Sequence, residues 1–171
     1  RDTLFRIASM TKPVTSLAAL MLVEEGKLRL ADPISRWLPE FKDMQVLKNA
    51  AGPLDETYPA PREITVQDLM THRAGLAYGF TSMGPIAQAH EDHLGPPLGT
   101  PLTPDAWLAA LGSLPLSYPP GAQFHYSHAT EVLGFLVARI EGKPLGQVLK
   151  DRIFGPLGMD CLLYTSDAAD E

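Results

Sequence analysis

The tetrapeptide Ser9-Met10-Thr11-Lys12 sets a hydroxyl and an amine three residues apart, on one face of a helix that starts at the serine. That spacing brings a lysine nitrogen within hydrogen-bond reach of a serine oxygen, a first requirement for nucleophilic catalysis. A serine hydroxyl attacks poorly until a base takes its proton in the transition state. An ordinary lysine is a poor base at pH 7, because neutralising an amine of pKa about 10.4 costs about 4.6 kcal/mol. A desolvated pocket lowers that cost. Taken alone, the tetrapeptide reads as a serine helix cap beside a solvated lysine. Eight serines and six lysines among 171 residues give about 0.3 such pairs by chance, so context has to decide.

Other polar clusters point elsewhere. His90-Glu91-Asp92-His93 holds two imidazoles three residues apart. It lacks the H-E-x-x-H spacing and an obvious third ligand, and reads as a solvated charged loop. The single cysteine can make neither a disulfide framework nor a cysteine zinc site. No metal and no cofactor are expected. His72 reads as a polar residue satisfied within a structural loop.

Helices have to carry these groups. Val14, Leu17, Ala18 and Met21 make one stripe of a first helix, with Gly26 placed to cap its end. Asp32-Pro33 opens a short helix bearing Ile34, Trp37 and Leu38, which Pro39 stops. Thr65 and Asp68 form a capping box for a helix that ends near Gly75. Thr103-Pro104 starts another, with Trp107, Leu108 and Leu111 inward. Leu133, Leu136, Val137 and Ile140 give the clearest stripe, closed by Gly142 and Pro144, and a last helix carries Leu145, Val148 and Leu149. Strand signals are weak at Lys27–Leu30 and at Gln123–Tyr126. The stretch from Leu76 to Leu102 shows no periodicity and reads as a long loop, which could shape a substrate pocket.

Composition excludes several classes. A hydrophobic fraction of 45% with 20% charged residues describes a globular domain, not a disordered tail or a coiled coil. The longest wholly apolar run, Leu17 to Val23, falls far short of the roughly 20 residues of a membrane span. Fourteen scattered bases against twenty acids leave a net charge of −6, so no nucleic-acid partner is expected.

Four blocks supply the context that the tetrapeptide needs. Phe5-Arg6-Ile7-Ala8-Ser9-Met10-Thr11-Lys12 is followed by Leu22-Val23-Glu24-Glu25-Gly26-Lys27-Leu28 with Asp32-Pro33. Ile64 to Leu76 (ITVQDLMTHRAGL) and Pro120 to Ser127 (PGAQFHYS) complete the set. Together they resemble the serine β-lactamase-related hydrolases, nearest to class C β-lactamases and family VIII carboxylesterases. The resemblance implies an α/β (α+β) β-lactamase/transpeptidase-like fold over residues 1–160, here mostly helical and without much of the central sheet. It implies Ser9 as the acylated nucleophile, with its backbone amide as one oxyanion donor. Lys12 and Tyr126 are then the proton relay, and which of the two acts as base stays open. A lone tyrosine at 126 would otherwise read as an amphipathic core residue.

Ser127 and His128 are the implied substrate-binding residues. Position 128 is usually asparagine in the lactamases, where it contacts the substrate amide; histidine leans the expectation toward small-molecule esters, with lactams as the other substrate class. A β-lactamase, a D-alanyl-D-alanine carboxypeptidase or a non-catalytic member of the fold are the alternatives. A third motif of K-T-G or H-x-G type is absent after Tyr126, and His93-Leu94-Gly95 matches in letters only. The chain therefore reads as a truncated N-terminal piece with negligible turnover. Its last eleven residues, 161–171, read as a translated sequencing adapter and not as native sequence.

Overall fold

The computed structural model describes residues 7–96 and 100–159; the expectation about residues 161–171 lies outside them. A single 3-10 turn, Ala8–Met10, leads into helix α1 (Thr11–Glu24). The buried face of α1 is Thr15, Ala18, Ala19 and Leu22. Leu17, expected in the core, is exposed, while Val14 and Met21 lie at the core's edge. The face is rotated because small residues, not large ones, meet the neighbouring helices. Helix α1 packs on α5 (Ala129–Glu141), where a Cβ on Gly134 would stand 2.7 Å from Leu145 and 3.7 Å from Thr15. Gly26 follows α1 with φ +72°, as its capping role requires.

Strand β1 (Gln45–Leu47) pairs antiparallel with β2 (Thr57–Pro59), Val46 opposite Tyr58. Three-residue strands are too short to show alternation, and neither is legible from spacing. Lys27–Leu30 is not a strand: the Lys27 amide bonds back to Leu22, the Arg29 amide to Asp32, and the Leu30 carbonyl accepts from Gln67. The helix expected after Asp32 is a 3-10 turn, Ile34–Arg36.

Helix α2 (Val66–Met70) opens with the expected capping box, the Thr65 amide donating to Asp68 at 2.9 Å and the Asp68 amide to Thr65 at 3.2 Å. The stretch 76–102 contains more than a loop. Gly79–Thr81 is a 3-10 turn, and α3 (Pro85–Leu94) buries Ile86, Ala89, His90 and Leu94 against α4 (Pro104–Ser113). Between Ile86 and Leu94 its inward face holds only an alanine and a histidine, which is why no apolar stripe shows. Helices α5 and α6 (Leu145–Leu149) follow as expected. A π turn, Lys150–Phe154, then runs into the one-turn helix α7 (Gly155–Leu157). Leu22, Leu69, Leu108, Leu111, Leu133 and Val137 belong to one core that joins α1, α2, α4 and α5. That core fixes the N-terminal ends of α1 and α5 beside each other.

Candidate active site

Ser9 lies in the 3-10 turn before α1, exposed at the surface. Ala8, immediately before it, has φ +43°, a left-handed conformation that costs a non-glycine residue about 1 kcal/mol or more. One turn on, the Lys12 amine approaches the Glu131 carboxylate of α5 at 3.5 Å. It also lies over two aromatic rings, 5.2 Å from the centroid of Tyr126 and 5.8 Å from that of Tyr78.

The Tyr126 hydroxyl is 2.7 Å from the Ser9 oxygen, across 117 positions of sequence. The expected strand at Gln123–Tyr126 is absent, because its polar groups bond to a turn and not to a ladder. The Gly121 amide donates to the Arg73 carbonyl at 2.7 Å and the His125 amide to the His72 carbonyl at 2.8 Å. The Arg73 guanidinium returns a bond to the Gly121 carbonyl at 2.8 Å. His72, held at φ +52°, accepts from the Ser127 amide through Nδ1 at 3.3 Å and packs at a tilt on Tyr126 at 4.8 Å. Burial first, and then Lys12, pushes the His72 imidazolium below its ordinary range and favours the neutral ring that can accept this bond. The satisfied structural role expected of His72 is the one it has.

Two side chains escaped the sequence reading. Tyr78 donates its hydroxyl to the same Glu131 oxygen that faces Lys12. Burial first, and then the Glu131 charge, push the Tyr78 phenol far above the usual tyrosine range, so it stays a donor. Tyr78 lay in the stretch without periodicity. Glu131 is an acid in the first turn of a helix, where the helix dipole alone accounts for it. Its one signal is position, five residues after Tyr126 on an otherwise apolar helix start.

Ser127 is fully buried, its hydroxyl without a partner. His128, at the N-cap of α5, packs edge-on to Tyr78 at 4.1 Å and to Trp107 at 5.2 Å, and stacks on His90 at 5.6 Å. Burial, then His90 and Lys12, push His128 down to about 3; burial, then His93 and His125, take His90 down to about 4. The solvated-loop expectation for His90–His93 is thus corrected: His90 is 4% exposed, within α3. Among the described residues, no three His, Cys, Asp or Glu side chains gather as a metal site, and no helix is long and apolar enough to cross a membrane.

A serine hydroxyl bonded to a phenol, an amine over that phenol's ring and a carboxylate behind the amine bring together the kinds of group that proton transfer to and from a serine requires. The family model described as Beta-lactamase matches residues 1–171. The chain belongs to the β-lactamase family. It is 57% identical to an uncharacterized Mycobacterium tuberculosis protein over 97% of this chain and 40% of that one. It is 41% identical to Esterase EstB of Burkholderia gladioli over 94% of this chain and 38% of the esterase. Among solved structures, EstCE1, described as a hydrolase with promiscuous acyltransferase activity, superposes with a TM-score of 0.72 at 33% identity. That match covers 90% of this chain and 38% of EstCE1. The chain spans about 40% of the length of the curated relatives it matches. Its fold is the mostly helical part of the β-lactamase/transpeptidase-like architecture, as the four motif blocks implied.

Proposed function

We propose that this chain carries the acylation machinery of a serine hydrolase acting on carboxylic esters. Ser9 attacks the ester carbonyl, its proton passes to the Lys12–Tyr126 pair, and the alcohol leaves as that proton returns. The acyl-serine is then hydrolysed by water. The observation that carries the reading is the 2.7 Å bond between Ser9 and Tyr126 with the Lys12 amine over the same ring. Ester is favoured over lactam or peptide by His128. Where a small amide side chain could swing toward a substrate, this imidazole is wedged among Tyr78, His90 and Trp107. The esterase relatives support the same choice.

The second oxyanion donor is proposed to come from sequence outside these 171 residues, because no K-T-G or H-x-G triad follows Tyr126. One missing donor costs about 10²–10³ in rate, so the isolated chain should turn over negligibly. In the uninterrupted gene product, a fluorophosphonate should label Ser9 stoichiometrically and Ser9→Ala should abolish labelling. That protein should also hydrolyse p-nitrophenyl butyrate in preference to nitrocefin. Labelling that survives Ser9→Ala refutes the assignment, and nitrocefin as the better substrate overturns the ester reading. Rapid labelling of the isolated chain would show that it does not need the missing donor.

A further inference from the structure

Five aromatic rings run in contact through the reacting atoms. Phe124 meets His72 edge-on at 5.8 Å, His72 meets Tyr126 at 4.8 Å with the planes tilted by 35°, Tyr126 meets Tyr78 at 5.6 Å, and Tyr78 stacks on Phe80 at 4.8 Å with the planes 17° apart. The ring at the middle holds the hydroxyl bonded to Ser9. Both ends are open: Phe124 is 64% exposed and Phe80 66%. Met10, next to the serine, is 70% exposed. Isolated exposed apolar residues need no explanation, but a contiguous row centred on a nucleophile does.

We propose that this row is a binding ledge for the hydrophobic groups of the ester, and that the site selects uncharged esters bearing aromatic or extended apolar groups. The inference rests on the ester reading of Ser9 and deepens it by naming the substrate class. Continuity with the nucleophile identifies the occupant: a carbonyl seated at the Ser9 oxygen has a ring beside it whichever way its two substituents run. Charge agrees. Lys12 is the cation beside the ledge and is already paired with Glu131, so a substrate carboxylate would compete with that ion pair. Burial, and then Lys12, disfavour the charged form of His72 inside the row. Face-on or edge contact with each ring contributes about 0.5–1.5 kcal/mol beyond area burial, which corresponds to about three- to tenfold in affinity.

The ledge is testable without turnover. The probes are three ketones, which mimic the ester carbonyl and cannot be hydrolysed: benzylacetone, acetone, and the anionic levulinate. They are titrated into the full 171-residue chain and its Ser9→Ala variant, with the ring signals of Phe80 and Phe124 followed by NMR. Benzylacetone should shift those rings in both proteins and bind at least tenfold more tightly than acetone or levulinate. Phe80→Ser or Phe124→Ser should each weaken it about three- to tenfold. Equal binding of the three ketones, or benzylacetone binding that ignores both serine variants, overturns the ledge. So does a change of oligomeric state in the double serine variant with benzylacetone affinity untouched, since the rings would then be a protein contact. Ring shifts together with no acylation of Ser9 in the uninterrupted gene product would sink the catalytic reading and leave the ledge standing. Acylation without ring shifts would do the reverse.

Discussion

The phenol of Tyr126 serves two neighbours at once, bonded to the nucleophile at its hydroxyl and lying under the Lys12 amine at its ring. Tyr126→Phe keeps the ring, and with it the contacts to His72 and Tyr78, but removes the hydroxyl bonded to Ser9. Acylation of Ser9 in the longer protein proposed above should fall by about 10²–10⁴, the usual worth of general acid–base catalysis, with thermal stability nearly unchanged. Glu131 acts one step further back. Glu131→Gln keeps the acceptor for Tyr78 and removes the charge that faces Lys12, so the acylation rate should fall about tenfold and its pH profile should change shape. Glu131→Asp should restore part of the rate. A variant that loses rate with the profile unaltered would make Glu131 merely structural. Of these residues, Ser9, Lys12 and Tyr126 were named through the resemblance of four sequence blocks to a family, since the tetrapeptide and the lone tyrosine each read as structural by themselves. Glu131 and Tyr78 were not, since neither has a sequence pattern of its own and their partnership exists only when α5 and the 76–81 segment are packed together.

The turn between α2 and the Tyr126 segment shows how an element transmits geometry. Gly75 sits at φ +80°, and a Cβ there would stand 1.9 Å from the Tyr118 carbonyl oxygen. Its own carbonyl accepts from the Ser117 amide at 2.8 Å, two residues away from Arg73, which grips Gly121. Gly75→Ala must therefore push two backbones apart, and should cost about 3 kcal/mol or more in urea unfolding. Gly26→Ala is the control. Its φ of +72° is equally left-handed, but a Cβ there meets nothing within 4 Å, so only the conformational penalty of about 1 kcal/mol applies. Equal losses in the two variants would mean that the close approach at Tyr118 contributes nothing. The capping box of α2, the glycine cap of α1 and the stripe of α5 were legible because each is a local preference written in neighbouring residues. Helix α3 was not, because its buried face of Ile86, Ala89, His90 and Leu94 is interrupted by a histidine and holds only two large apolar side chains. The segment before Tyr126 misled for the same reason: its backbone partners lie about fifty positions upstream.

Across the whole molecule, two buried imidazoles tie stability to pH. His90 and His128 are stacked, each with Nδ1 buried and unpartnered, and their folded pKa values are depressed to about 4 and about 3. A histidine free in the unfolded chain titrates near 6.5. Protonation therefore favours unfolding: the stability is fully present above about pH 6.5 and drains as pH falls toward the folded values. Each group contributes a limiting slope of about 1.4 kcal/mol per pH unit, so the pair approaches about 3 kcal/mol per pH unit between pH 6 and 4.5. Asp68 works in a different window. Burial alone would raise it, but its bonds from Arg62 and Thr65 outweigh burial and hold it below the usual carboxylate range. That contribution is present above the unfolded value of about 4 and disappears only below it. Urea unfolding at pH 7.5, 6.0 and 5.0 thus isolates the histidines. His90→Leu, close in volume and without an orphaned nitrogen, should remove one group's share of the slope, leaving that of His128 and of the less depressed His72 and His125, and be the more stable protein at pH 5.0. Parallel curves for the two proteins would show that His90 is not one of the titrating groups. The same protonation reaches the site, because His128 packs on Tyr78, whose hydroxyl holds the Glu131 carboxylate against Lys12. Loss of Ser9 acylation on the acid side should therefore begin at higher pH than global unfolding does, and His90→Leu should move both transitions down together.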